Sequence, residues 1–246
     1  MAVKMGWPKI SICMATFNGE RFIGQQISSI LCQLSADDEL VISDDGSTDA
    51  TCEVIKSFDD ARIKLVNNPS PKSLIRNFEH ALQCAQGEYL FLADQDDVWF
   101  ENKVEVVTQL LQTAELVVTD CTLIDEEGRQ FAPSFFLLHG SRSGFLANLI
   151  KNSYLGCCMA FRRSFLKKAL PIPTSVPMHD IWFGMLAEWY GTSVFCPEPL
   201  MAYRRHNASA STTGAPSSYT IREKILFRYN LLFCLIQRIA TLRLVP

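Results

Sequence analysis

Hydrophobic residues in the first half of the chain fall into two alternating kinds of stretch. Short, nearly unbroken apolar runs at 9–16, 39–43, 62–66 and 88–93 have the length of buried strands. Between them, 21–34, 50–58 and 73–86 carry apolar residues at helical spacing. Ser47 or Thr48 is placed to cap the second helix, and Gly87 to end the third. Strand and helix alternating in this way predict a parallel sheet with crossover helices. Farther on, the pattern predicts a helix at 102–114, a strand at 115–120 and irregular chain over 121–148. A strand at 154–161 and a short helix at 162–169 follow, then a loop set by Pro171, Pro173 and Pro177. A helix at 181–190 and a strand at 192–196 complete the body.

The apolar runs stop on polar groups of one kind. Thr16-Phe17-Asn18, Asp44-Asp45-Gly46 and Asp94-Gln95-Asp96-Asp97 all fall at the carboxyl ends of predicted strands. In open parallel sheets the ligand crevice lies beyond those ends. Three carboxylates within four positions repel one another unless something positive sits among them. Hard divalent cations take carboxylate oxygens, so the rim is expected to hold a cation together with phosphate oxygens. A solvated acidic turn is the competing explanation for these residues alone.

Composition narrows the class without deciding it. With 246 residues, 48% of them hydrophobic, the chain can bury one large α/β core. A net charge of −3 gives no sign of nucleic-acid binding. The nine cysteines are odd in number and contain no CxxC pair, which suits free thiols in a reducing compartment. Residues 1–7 carry no signal-peptide core, and no stretch reads as long and apolar enough to span a bilayer. A cytoplasmic address is expected.

Ala15–Gly19, Asp44–Asp49, Ala93–Trp99 and His179-Asp180, in this order on strand ends and a helix start, carry a family resemblance. Over roughly residues 10–207 the chain resembles the inverting nucleotide-sugar glycosyltransferases of family 2. The resemblance implies an α/β, GT-A (Rossmann-like) fold: a mixed, mainly parallel sheet flanked by helices, with a C-terminal amphipathic helical tail. It implies one domain over 1–207, with the nucleotide-binding half at about 1–120 and the acceptor-binding half at 121–207.

The same resemblance implies roles. Asp45 would hold the base, with Thr16, Asn18 and Asp44 lining the same pocket and Arg76 near the nucleotide. Asp96 would bind Mg2+ or Mn2+, Asp94 would contact ribose or a metal-bound water, and Gln95 and Trp99 would face the donor. His206 would approach the metal or the diphosphate, and Arg204 or Arg205 would cover the leaving phosphates. Asp180 would take the proton from the acceptor hydroxyl, its position at a helix start favouring the ionised form. Each has a plainer alternative: an Asx-turn for Asp44, a surface arginine for Arg76, a core aromatic for Trp99, a helix-start acid for Asp180, a solvated turn around Arg205 and His206. His179 is open between metal ligand, substrate hydrogen bond and spacer.

The tail changes character. Residues 208–218 read as a flexible loop, and 219–246 as an amphipathic helix whose apolar face runs from Ile221 to Ile239. Arg222, Lys224, Arg228, Arg238 and Arg243 oppose a single Glu223. Such a helix lies on an anionic membrane, packs on the domain or pairs with a second copy. The expected activity is metal-dependent, inverting transfer of one sugar from a nucleoside diphosphate sugar to a hydroxyl of a lipid-linked glycan acceptor. The setting is bacterial surface polysaccharide synthesis, at the inner face of the cytoplasmic membrane if the tail binds lipid. Asp-Gln-Asp-Asp-Val-Trp with His-Asp-x-Trp resembles the bacterial rhamnosyltransferases of the family, which implies dTDP-L-rhamnose as donor. A UDP-hexose donor, a nucleotidyltransferase and a non-catalytic nucleotide-sugar-binding protein are the alternatives.

Overall fold

The structure is a computed structural model that describes residues 9–69, 73–206 and 220–244. The expected loop at 208–218 and the first seven residues lie outside the described part. Four strands open the chain: β1 (Ile10–Thr16), β2 (Glu39–Asp44), β3 (Ile63–Asn67) and β4 (Tyr89–Asp94). They alternate with α1 (Ile23–Leu31), α2 (Thr51–Lys56) and α3 (Leu74–Cys84), as the periodicity predicts. β1, β2 and the first five residues of β4 are buried, as parallel strands covered on both faces must be. α1 turns Ile23, Gln26, Ile27 and Ile30 inward, and Ser73 caps α3 by accepting from the Arg76 amide.

The second half adds β5 (Val98–Trp99), α4 (Lys103–Leu110), β6 (Leu116–Ile124), β7 (Gln130–Ala132), α5 (Phe135–His139) and α6 (Phe145–Ile150). After a 3-10 turn at Gly156–Cys158 come β8 (Met159–Arg162), α7 (Arg163–Ala169), α8 (His179–Tyr190), β9 (Ser193–Arg204) and α9 (Ile221–Leu244). Among the described residues one sheet runs β3-β2-β1-β4-β8-β6-β9-β5, with β7 paired to β6. β1 to β4 are parallel, while β8 is antiparallel to both its neighbours. Thr16 pairs with Asp44, and Ala15 with Asp94, so three strand ends stop in register.

Several expectations are corrected. The stretch 121–148 is not irregular: β6 runs on to Ile124, and β7, α5 and α6 follow. Ser134 and the Asp120 carboxylate, which accepts from the Phe136 amide, start α5. The strand at 154–161 begins only at Met159, because Gly156–Cys158 form the tight turn before it. Gly87 does not end a helix. Its backbone passes so close to Lys9 and Ser11 that a Cβ would stand 2.6 Å from each. By length and composition alone, Ile221–Arg243 could cross a membrane, against the sequence reading. Here one side of α9 packs on the domain through Leu231, Cys234, Leu235 and Ile239. Arg228 and Arg238 also turn inward, donating to carbonyls at 149–150 and at 168, 170 and 171. All nine cysteines are free.

Candidate active site

The rim is assembled by side chains that lock one strand end to the next. Gln95 Oε1 accepts from Thr16 Oγ1 (2.5 Å) and from the Phe17 amide (2.9 Å), while its amide group donates back to Phe17 O. Asn18, held at φ 49°, accepts from the Thr48 amide at 2.8 Å and donates its own amide to Ser47 Oγ. Short polar side chains tolerate this left-handed backbone better than most. Asp45 holds the following loop, accepting from Asn68 Nδ2 (2.6 Å) and the Ser73 amide (3.1 Å). Asp44 spends both oxygens on the turn after it, taking the Gly46 and Ser47 amides and the Ser47 hydroxyl. That is the Asx-turn role. Arg76 pairs with Glu79 one turn along α3, and Trp99 packs in the core against Phe91 and Lys103 instead of walling an open donor site.

The acids of β4 sit at the centre. His206 Nε2 lies 2.7 Å from Asp96 Oδ2, so the two metal-site candidates meet although 110 residues apart. Asp94, Asp97 and Cys157 bring ligand atoms within 4.8 Å of one another. Burial, then the Asp96 charge, pushes the Asp94 carboxyl up to about 7. The same two causes, with Asp94 adding, hold Asp97 well above the usual carboxylate range. Asp97 Oδ1 accepts from the Arg204 amide at 2.9 Å, while Oδ2 is buried and takes no N–H or O–H among the described residues. A crowded set of acids with a buried oxygen left over fits a divalent cation.

Two buried cations stand behind this cluster: Arg204, which the sequence offered beside Arg205 for the leaving phosphates, and Lys103, which it did not single out. Arg204 is 3% exposed, and its guanidinium reaches Asp96 O, Gln25 Oε1 and the carbonyls of Asp125 and Glu126 over the Phe22 ring. It braces the acidic turn, whereas Arg205 is fastened by its amide to Ile124 O. Lys103 is 1% exposed and donates to Cys157 O (2.9 Å) and Met201 Sδ (3.0 Å) under the Trp99 ring. Its place in the buried stripe Lys103-Val104-Val107 of α4 was the available signal.

Asp180 lies in the first turn of α8. It is 9% exposed, and its charge adds a small share to the raising of the Asp94 carboxyl. Burial outweighs the helix-start amides and pushes Asp180 up to about 6, the reverse of the dipole expectation. His179 is no spacer in the open. It is buried against Phe78, with ring centroids 4.3 Å apart, and its Nε2 would lie 2.7 Å from a Cβ at Gly156. Neither ring nitrogen has a hydrogen-bond partner among the described residues, and burial holds the imidazole down to about 3, hence neutral.

The sequence profile described as Glycosyl transferase family 2 matches residues 11–170, which carry the whole acidic rim. The chain belongs to glycosyl transferase family 2. It is a glycosyltransferase, and it is 28% identical over 213 residues to UDP-Glc:alpha-D-GlcNAc-diphosphoundecaprenol beta-1,3-glucosyltransferase WfgD of Escherichia coli, covering 82% of this chain and 79% of the relative. It is 26% identical to the putative teichuronic acid biosynthesis glycosyltransferase TuaG of Bacillus subtilis, over 83% of this chain and 82% of that one. Among solved structures, S. aureus TarS 1-349 with UDP-GlcNAc aligns with TM-score 0.70 at 18% identity, over 94% of this chain and 66% of TarS 1-349. The glycosyltransferase therefore spans just under two thirds of that structure. The mannosyltransferase PcManGT of Pyrobaculum calidifontis, with GDP-Man and Mn2+, aligns with TM-score 0.61 at 16% identity, over 98% and 77%. These likenesses show the GT-A fold for the glycosyltransferase.

Proposed function

We propose that this glycosyltransferase moves one hexose from a nucleoside diphosphate sugar to a hydroxyl of a lipid-linked glycan, with inversion. The observation that supports the reading is Asp180, buried at the start of α8 and raised to about 6, with its charge felt by Asp94 of the acidic cluster. A general base works best with a pKa near the working pH. Asp180 takes the proton as the acceptor oxygen bonds to the anomeric carbon and the bond to the departing diphosphate breaks on the opposite face. Thr16, Asn18 and Asp45 border the crevice for the nucleotide, and Gln95 keeps the first loop against the acids. Asp96 and His206, with Asp94 alongside, would hold Mg2+ or Mn2+. Such an ion, when bound, offsets charge on the diphosphate.

The donor is the finer question. WfgD and WfaP of Escherichia coli are named for UDP-Glc and for a diphosphoundecaprenol-linked acceptor, which supports a UDP-hexose here and a lipid-linked acceptor at a membrane surface. The dTDP-L-rhamnose expectation rests on motif wording alone and becomes the second arm of the test. The decisive variant is Asp180→Asn. Donor binding is expected to persist within about twofold, while transfer falls by about 100-fold or more, the scale of a lost general base. Unchanged transfer would remove Asp180 from the chemistry.

A further inference from the structure

The outward side of α9 is unlike the exposed side of a helix packed on a single domain, which is normally polar. Ile221, Ile225, Leu226, Tyr229, Phe233 and Ile236 follow one another at helical spacing and are between 50% and 77% exposed. α9 is thus apolar on both sides, since Leu231, Cys234, Leu235 and Ile239 are buried on the other. Two side chains of α6, whose last turn meets α9, are exposed as well, Leu146 at 71% and Ile150 at 74%. Arg228 joins the two helices by donating to Leu149 O and Ile150 O. Monomeric proteins seldom leave a contiguous apolar patch of this kind in water.

The charges around the patch select its occupant. Arg222 and Arg243 stand at the two ends of the stripe, while Glu223, the one acid of α9, is taken up by the Thr220 amide and hydroxyl. In a pair of such faces, parallel or antiparallel, arginine would meet arginine at both ends. An anionic bilayer accepts the same pattern well: apolar side chains enter the headgroup boundary and arginines reach lipid phosphates. We propose that the outer face of α9, continued by Leu146 and Ile150 of α6, docks the enzyme on an anionic membrane surface. Arg228 and Arg238, though basic, take no part, because they hold α9 to the domain.

The placement suits the chemistry. A cavity of about 150 Å³ opens between α6, α9 and the start of α8, lined in part by Asn148, Met178, Ile181, Arg228 and Leu231. Met178 and Ile181 bracket His179 and Asp180 on the chain, so the inner side of α9 borders the stretch that carries the proposed base. The proposal rests on the lipid-linked acceptor only for its purpose, and the contact is tested without substrate.

The test is sedimentation of the full chain with vesicles of phosphatidylcholine alone or mixed with phosphatidylglycerol. Wild type is expected to bind the mixed vesicles, and added salt to weaken the binding. The triple variant Ile225→Asp, Tyr229→Asp, Phe233→Asp is expected to lose at least about tenfold in binding while keeping its circular dichroism and melting temperature. Arg222→Glu with Arg243→Glu is expected to lose the preference for anionic lipid. Wild type that ignores anionic vesicles, or a triple variant that binds as before, would overturn the proposal. So would a wild-type dimer that the triple variant dissolves without any vesicle binding. Transfer to a water-soluble acceptor, measured beside it, tells the two readings apart: its loss strikes the proposed activity and leaves the docking result standing.

Discussion

Asp180 is the residue on which the chemistry can be checked by pH. Its carboxyl is raised to about 6 in the fold, against 3.8 for a free aspartate. As the proposed base it must be ionised, so transfer is expected to fall as pH drops through about 6, in a single-proton limb of the kcat/KM profile. The stability sign is opposite to that of a paired acid. Below the unfolded value both states hold the proton and nothing is lost. Between about 4 and 6 the unfolded chain ionises first, and above 6 the cost of keeping a buried carboxylate is fully present. Asp180→Asn removes that cost, so it is expected to stabilise the protein at pH 7.5 by about 3 kcal/mol and not at all below pH 4. Urea unfolding at the two pH values measures this. No pH dependence of the gain would show that burial is not what moves Asp180. The candidate residues were legible because strand-end acids are read from sequence directly. Burial was not, and that is why Asp180 went opposite to the helix-start expectation and why Trp99 left the donor wall for the core.

At the scale of elements, the loop after β1 and the end of β4 behave as one piece. A Cβ at Gly19 would stand 2.3 Å from Gln95 Oε1, the atom that binds Thr16 and Phe17. Gly19→Ala is therefore expected to push Gln95 aside and raise the donor KM about tenfold or more, with kcat and melting temperature little changed. A loss of several degrees in melting temperature instead would mean that the lock serves folding. Gly184 makes the contrasting case, since its Cβ would stand 2.3 Å from the rigid Tyr154 ring. Gly184→Ala is expected to cost about 1–3 kcal/mol in chemical denaturation, as overpacked cores do. The alternation of β1 to β4 with α1 to α3 was legible because one period follows another cleanly. β5, β7 and α5 were not, because two to five residues are too few to show a period. The long β9 was hidden by Pro197 and Pro199, around which its pairing to β6 shifts register.

Over the whole molecule, the proposed site draws on both halves of one sheet. Asp96 comes from the end of β4, His206 from just past β9 and Asp180 from the start of α8. A ligand that bridges them should tie the halves together and raise stability by mass action. At a donor concentration about 100 times Kd, with Mn2+, the gain is about 2.7 kcal/mol, or roughly 5–10 °C for a chain of this size. A thermal-shift panel of UDP, dTDP and GDP sugars reads this directly, and the nucleotide with the largest shift names the donor class. If no nucleotide sugar moves the melting temperature, the crevice at the β1, β2 and β4 ends is not a donor site. The outward face of α9 has one more consequence. An enzyme held on a surface searches for a surface-bound acceptor in two dimensions, so its rate should follow the acceptor's mole fraction among the lipids more closely than its bulk concentration. Diluting the acceptor with inert lipid would then slow the reaction even when every molecule remains in the tube.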